Sequence, residues 1–279
     1  MTAPALVGAR PRVDRPGPVA ATANAMLTIA WRDVQKFLHD RARVIGTVIG
    51  PLLFIGAFGG ALQSNLGQSA GFNLLLFTFT GVFAQTIFQS TVTGLTSLIE
   101  DRENDFAQEL FIAPISRYAI VFGKILGESA VAFLQGLVTV LFGVIAFGVP
   151  LSAAKLLPLL PVGLVICIFG GSFGLLLMSL FSSQRSANQI IPFLIFPQFF
   201  LAGVFTPIRN LPWYLDIASR ISPLRYAVDL ARGAFYAGDP DYDKIVLTSP
   251  LVNLAIMAIL FVVFMVVGTT MFVRSEKNR

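Results

Sequence analysis

Apolar residues gather along this chain in six long blocks separated by short polar breaks. The blocks cover about residues 44–62, 72–99, 118–149, 156–181, 190–208 and 251–273. Each is near the ~20 residues that a helix needs to cross ~30 Å of hydrocarbon, so the pattern predicts six transmembrane helices. Ahead of the first block, residues 26–43 repeat at helical spacing. Leu27, Ala30, Trp31, Val34, Phe37 and Leu38 fall on one face, and Arg32, Asp33, Lys36, His39, Asp40 and Arg43 lie largely on the other. An amphipathic helix carrying a tryptophan and several cations suits the headgroup level of a bilayer, with Trp31, Arg32, Lys36 and Phe37 as its interfacial residues.

Before the last block the connection is long, residues 209–250. Asn210-Leu211-Pro212 can open a short helix ending near Ile221, and Ser222 then reads as an N-cap with Pro223 at the first helical position. This second helix runs to about Tyr236 and is stopped by Gly238. Leu224, Val228, Ala231 and Phe235 share one face. Arg225, Asp229 and Arg232 share another, at spacings that permit ion pairs. The expectation is an external cap of two amphipathic helices.

Composition changes this picture little. Apolar residues make up 55% of the chain, charged residues only 13%, and mean hydropathy is +0.76. Soluble domains average about 25% charged. The fold class expected is therefore an all-α polytopic membrane protein. The net charge of +5 carries no nucleic-acid signal, because no basic run with interleaved aromatics occurs. Lysine and arginine sit mostly at span ends. With the N-terminus in the cytoplasm, fourteen fall inside and six outside, in keeping with the positive-inside rule, and an even number of spans places both termini inside. Residues 1–25, with Arg10, Arg12, Asp14, Arg15 and four prolines, lack an apolar signal-peptide core and read as a disordered cytoplasmic tail. Residues 26–279 form the membrane domain. The single cysteine, Cys167, reads as a packing residue.

One short break is unlike the rest. Glu100, Asp101, Glu103, Asp105 and Glu109 against Arg102 make residues 100–114 strongly acidic, while Phe106, Leu110 and Ala113 recur at helical spacing. The pattern predicts a short amphipathic helix ending near Pro114. Apolar knobs on an acidic helix suit docking in a partner's groove.

Catalytic and metal chemistry finds no home. Gly123-Lys124 lacks the upstream glycine and the following Ser or Thr of a phosphate loop. Asp239, Asp241 and Asp243 mimic the start of a calcium loop, but Lys244 stands in place of its glycine and Pro250 in place of its bidentate glutamate. His39 is alone. The expectation is a chain that is not an enzyme, with no catalytic, cofactor-binding or metal-binding residues. Glu128, four residues after Lys124, is placed to pair with it near the cytoplasmic end of the third span, the alternative being a coupling or gating role. Thr78, Gln85, Gln89, Thr93 and Thr96 form a polar stripe along the second span. It reads either as interhelical hydrogen bonding or, for Gln85, Gln89 and Thr93, as a path lining or dimer contact. The pairs Gly46/Gly50, Gly56/Gly60, Gly123/Gly127 and Gly170/Gly174 suit close helix packing.

Three stretches together resemble the ABC-2 type family of ABC exporter permeases, closest in flavour to its drug- and antibiotic-export branch. The first is Glu100-x-Arg102-Glu103-Asn104, then Leu110-x-x-Ala113-Pro114-Ile115-Ser116-Arg117 and Gly123-Lys124. The second is Leu201-Ala202-Gly203-Val204-Phe205-Thr206-Pro207 with Leu211-Pro212-Trp213. The third is Ser222-Pro223-Leu224-Arg225-Tyr226-Ala227-Val228-Asp229 with Arg232-Gly233. The resemblance implies six spans, an N-terminal interface helix at residues 26–43, short extracellular helices before the last span, and a cytoplasmic coupling helix at 100–114. Glu100, Asp101, Arg102, Glu103, Asp105, Phe106, Glu109, Leu110 and Pro114 would touch the ATPase. It further implies a second permease copy, an ABC-type ATP-binding subunit carrying ATP and Mg on a separate chain, and a place in a prokaryotic cell (inner) membrane. The function expected is export of an amphiphilic, drug-like, lipidic or glycan substrate. A secondary transporter or channel without an ATPase is the alternative, with Pro192, Pro197 and Pro207 in the fifth span as its support.

Overall fold

Long apolar blocks leave a backbone one economical way to satisfy its hydrogen bonds in hydrocarbon, the helix. The computed structural model describes residues 18–99, 117–181 and 183–277, and these contain helices and no strand. In chain order they are α1 (Pro18–His39), α2 (Arg41–Leu53), a π-helical turn (Phe54–Gly59) and α3 (Gly60–Ala70), then α4 (Leu74–Gly94), α5 (Arg117–Phe147) and α6 (Ala153–Ser179). α7 (Gln184–Leu201), α8 (Trp213–Ile221), α9 (Pro223–Phe235), α10 (Tyr242–Ile245) and α11 (Pro250–Lys277) complete the chain.

α1 begins at Pro18, ahead of the expected start at residue 26. Proline is well tolerated at a first helical position, and Ala20, Ala21 and Ala23 favour helix. Asp40 separates α1 from α2 and caps α2 by accepting from Arg43 N at 3.0 Å. Asn73 caps α4 in the same way through Leu76 N.

Among the described residues, five helical stretches are long and apolar enough to cross a membrane: Arg41–Ala70, Leu74–Ile99, Ala119–Phe147, Ala153–Ser179 and Tyr242–Arg274. The fifth expected block falls on α7, which is not among them. α7 opens with Gln184, Arg185, Ser186, Asn188 and Gln189, and it stops at Leu201 rather than near residue 208. Its 18 residues span about 27 Å, short of the hydrocarbon thickness. Gly203, at φ +69°, turns the chain out of the helix in a conformation that favours glycine.

α4 is the centre of the bundle. In its apolar window 78% of residues are buried, against 22% for Arg41–Ala70 and for Tyr242–Arg274. α5, α6 and α9 pack on α4, α11 packs on α6 and α9, and α1 lies along α5. Two of the four small-residue pairs explain these approaches. A Cβ on Gly123 would lie 3.0 Å from Met26 Cα, and one on Gly127 would lie 2.9 Å from Ala30 Cα, so α1 rests on a groove in α5. Gly170 and Gly174 admit Phe88 and Val92 of α4 equally closely. Gly46 and Gly50 do nothing of the kind, since a Cβ on either meets nothing within 4 Å.

Candidate functional site

α1 meets α5 through charge as well as through glycine. Ile29, Asp33 and Phe37 follow one another at four-residue steps and form its buried stripe. Leu27, Trp31 and Leu38, read on the same apolar face as Phe37, are exposed, whereas Asp33, read on the polar face, is buried. The α5 groove selects the stripe through Asp33. Arg32 is half-buried and Lys36 exposed. α1 thus has three faces: one packed, one polar and one apolar strip open to the surroundings.

Inside the junction, Lys124 Nζ donates to Asp33 Oδ1 at 2.8 Å and lies 3.4 Å from Glu128 Oε1. Glu128 Oε2 accepts from Arg43 Nη2 at 3.0 Å, and Arg32 lies 3.6 Å from Asp33. Asp33, Lys124 and Glu128 are each at most 2% exposed. The Lys124–Glu128 pair is therefore present, enlarged by Asp33 and Arg43 from two other helices. Burial pushes the Asp33 carboxyl above its usual 3.8, and the Lys124 ammonium offsets this only in part. Gly94 at the end of α4 leaves the room that Glu128 fills.

Next to this network, α2, α4 and α5 enclose an open cleft of about 360 Å³. Gln85, Gln89 and Thr93 of the polar stripe line it together, whereas Thr78 and Thr96 do not. Arg43, Thr47, Ser90 and Gln135 join them. Gln85 Nε2 donates to Gln89 Oε1, and Thr93 Oγ1 donates to Gln89 O at 2.9 Å. Of these added residues, Arg43 and Thr47 open α2 on the α4 side; only their three- to four-residue spacing to Gly46 and Gly50 hints at a shared wall.

At the other end of α4 stands a second charged device. Arg232 of α9 is 1% exposed and donates to the carbonyls of Gly203 (2.7 Å), Phe77 (3.3 Å) and Val204 (3.4 Å), with its guanidinium 3.5 Å from the centre of the Phe77 ring. Burial lowers its pKa to about 10, which still leaves it charged at neutral pH. Asp229, one turn earlier, accepts from Leu247 N (2.8 Å), Thr248 N (2.9 Å) and Asn253 Nδ2 (2.8 Å) at the entry to α11. The ion pairs expected among Arg225, Asp229 and Arg232 are absent among the described residues. Arg225 turns to Asp216 of α8 at 3.4 Å, while Arg232 and Asp229 take backbone partners in the turn after α7, in α4 and just before α11. α8 and α9 occupy the residues anticipated for the two short helices. Ser222 precedes α9 but makes no side-chain cap, its hydroxyl meeting Gln198 Oε1 at 3.3 Å.

Asp239 and Asp241 of the 239–243 run and the lone histidine make structural contacts. Asp239 bridges to Lys155 and Asp241 to Lys244, and His39 Nδ1 contacts Gln35 O. Cys167 is buried. The coupling-helix residues Glu100, Asp101, Arg102, Glu103, Asp105, Phe106, Glu109, Leu110 and Pro114 lie outside the described residues.

The family model for the ABC-2 type transporter matches residues 24–236 of the chain. The chain belongs to the ABC-2 type transporter family. It is 28% identical over 250 residues to a putative transport permease, ycf38, of Cyanophora paradoxa, covering 84% of this chain and 83% of the relative. It is 29% identical over 161 residues to the probable multidrug ABC transporter permease YbhR of Escherichia coli K12, covering 57% of this chain and 42% of the relative. To the inner membrane transport permease YadH of the same organism it is 22% identical over 214 residues, covering 76% and 82%. This ABC-2 family member is accordingly a multi-pass membrane permease of an ABC transporter. Its second and third motif stretches meet in space, since Arg232 reaches back to the carbonyls of Gly203 and Val204.

Proposed function

We propose that this permease is the membrane half of an ATP-driven exporter that moves an amphiphilic substrate out of the cytoplasm or the inner leaflet. ATP and Mg are held by a separate ABC-type ATP-binding subunit, and two permease copies form the path. In this reading α7, with the turn that follows it, is the sixth membrane element, both termini are cytoplasmic, and α8–α10 cap the outer side. The family match over residues 24–236 carries the proposal, and the acidic segment 100–114 lies within its bounds.

The geometry supports a route for the work. Segment 100–116 joins the end of α4 to the start of α5, and both of those helices border the buried Asp33–Lys124–Glu128–Arg43 network. A push on the segment by a closing ATPase would pass from α5 through the network to α1 and α2, where charges can change partners as the helices move. The cleft beside the network, with Gln85, Gln89 and Thr93, borders those helices and serves as part of the path.

The test is co-purification of the tagged permease with its ATP-binding subunit from the native membrane. The expected result is a stable complex that Glu103→Lys combined with Leu110→Asp disrupts, while the permease itself stays folded. A complex that survives both changes overturns the role given to the segment. Full transport by the purified permease without an ATPase overturns the exporter reading as a whole.

A further inference from the structure

The cleft between α2 and α4 has two unlike walls. On the α2 side, Gly46, Gly50, Pro51 and Phe54 present a smooth apolar surface, and the glycines leave open space where side chains would stand. On the α4 side the wall is polar along two turns and more, from Gln85 to Thr93. Arg43 stands at one end. From Arg43 to Phe54 the slot runs about 16 Å along the helix axis. A volume of about 360 Å³ is at the small end for a ligand site, enough for a polar head and the first part of a chain.

Two side chains in the slot have hydrogen-bonding capacity to spare. Ser90 is 8% exposed and lines the cleft, yet its Oγ is buried without a hydrogen bond among the described residues. Its neighbours Thr91 and Thr93 both turn their hydroxyls back onto their own helix; Ser90 does not. Arg43 gives Nη2 to Glu128 and sits 5.5 Å from the Phe37 ring centre, leaving further N–H groups of its five-donor fork toward the slot.

We propose that this cleft binds the anionic, phosphate-bearing head of one lipid-like amphiphile per chain, with Arg43 on the phosphate, Ser90 and the Gln89 and Thr93 groups on the head's polar atoms, and the tail along Gly46, Gly50, Pro51 and Phe54. A guanidinium fork matches phosphate oxygens, and Arg43 is the one charged side chain among the residues that line the cleft. The inference rests on the permease reading only for the placement of α2 and α4 in a bilayer.

The experiment uses the full chain, purified alone in neutral detergent. Thermal unfolding and native mass spectrometry are followed while phosphatidylglycerol, phosphatidylcholine of the same chains, or inorganic phosphate is added. Phosphatidylglycerol should raise the unfolding midpoint and remain bound at one per chain. Phosphatidylcholine should bind at least tenfold more weakly, and inorganic phosphate should have no effect at matching concentration. Arg43→Gln should weaken phosphatidylglycerol about tenfold. Because Arg43 also meets Glu128, Gly50→Leu is the cleaner variant. A Cβ there touches nothing, so folding should be unharmed while the slot is filled and lipid stabilisation disappears.

Equal stabilisation by both lipids, stabilisation by inorganic phosphate alone, or wild-type phosphatidylglycerol binding in Gly50→Leu overturns the proposal. Loss of chain-to-chain cross-linking in Gly50→Leu with lipid binding intact overturns it too, and hands the glycine wall to a second copy. No ATPase takes part in the assay. Failure of the pull-down therefore leaves this result standing, and failure here leaves the pull-down standing.

Discussion

Asp33, Lys124, Glu128 and Arg43 answer one another, side chain to side chain. Arg232 and Asp229, some 25 Å away along α4 at 1.5 Å per residue, answer the backbone of neighbouring helices instead. Both sets are buried apart from the half-buried Arg43, and both tie three or more segments together. Their physics differs. In the first, each charge is compensated by another charge on a movable side chain, so partners can exchange with little net loss. In the second, the guanidinium meets carbonyls just past the C-terminus of α7 and the carboxylate meets amides just before α11. Cation at a helix C-terminal end and anion at an N-terminal end are the favourable pairings with the helix dipoles. Backbone partners cannot swing away. The α1–α5 junction is therefore the place where helices can shift against each other, and α9 is a fixed yoke between α7, α4 and α11.

The largest effect should come from Lys124→Met. It leaves Asp33 without its closest partner and removes one from Glu128, and breaking a buried pair from one side costs about 3–5 kcal/mol. Detergent-solubilised protein should show a strongly lowered unfolding midpoint, or fail to elute as a single species in size exclusion. Adding Asp33→Asn to Lys124→Met should recover most of the loss, since Glu128 keeps Arg43. If the double variant is no better than the single one, the network is not a set of mutually compensating charges.

How the two devices arise explains what could be read ahead of the structure. The long spans were legible because ~20 apolar residues in a row have few other fates, and the α8 and α9 boundaries because Pro212, Pro223 and Gly238 act locally. The Lys124–Glu128 pair was legible for the same reason, its members being one turn apart on one helix. Asp33 was placed with the polar face of α1, since nothing within α1 announces that Lys124 arrives 91 residues later. The i, i+3 and i, i+4 spacing of Arg225, Asp229 and Arg232 allowed pairs on α9, but backbone groups just past α7, in α4 and just before α11 competed and won. α7 was misjudged in length because Ala202, Gly203, Val204 and Phe205 are as apolar as a helix interior, while the positive φ of Gly203 ends the helix. The cleft was half legible: the stripe on α4 showed itself by period, while Arg43, Ser90 and Gln135 join it only through packing.

Arg232→Met should come next, at about 3 kcal/mol, because three carbonyls lose a charged donor inside the protein. No second substitution should rescue it, in contrast to Lys124, since its partners are main chain. Arg232→Lys keeps the charge but not the fork or the stacking over Phe77, and should lie between the two. Unfolding midpoints of the two variants decide this. A rescue of Arg232→Met by Asp229→Asn would show that the pair acts as an ion pair after all, and the contrast between the two ends would collapse.

Asp229→Asn should cost less, about 1–2 kcal/mol. Oδ2 serves both Thr248 N and Asn253 Nδ2, and Oδ1 serves Leu247 N, so whichever way the new amide turns its NH2 faces a donor. The effect should be local. Amide exchange should quicken at residues 247–253 while α1 stays protected, and uniform loosening of the whole bundle would contradict a local yoke.

The smallest effect is one of sign, and it sets the two ends against each other. Asp33 has its carboxyl pKa raised above 3.8 by burial, despite Lys124 and Arg32 and with Glu128 adding to the rise. Between 3.8 and that raised value the folded chain holds more proton than the unfolded chain, so this contribution to stability falls as pH rises through the window and grows as pH drops. At the other end the Arg220 and Arg225 side chains hold Asp216 below 3.8, and Asp241 N with Lys155 does the same for Asp239. For those groups the unfolded chain holds more proton, so their contribution is present above 3.8 and is lost as pH falls through their folded values. Amide protection, corrected for intrinsic exchange, should therefore hold or increase in α1 on acidification from pH 7 toward about pH 4, and decline in α8 and α10 only below about pH 4. Asp33→Asn should abolish the gain in α1 and leave α8 and α10 unchanged. A parallel loss of protection at both ends would mean that acid acts on the bundle as a whole, and the division between an exchangeable junction and a fixed yoke would lose its electrostatic basis.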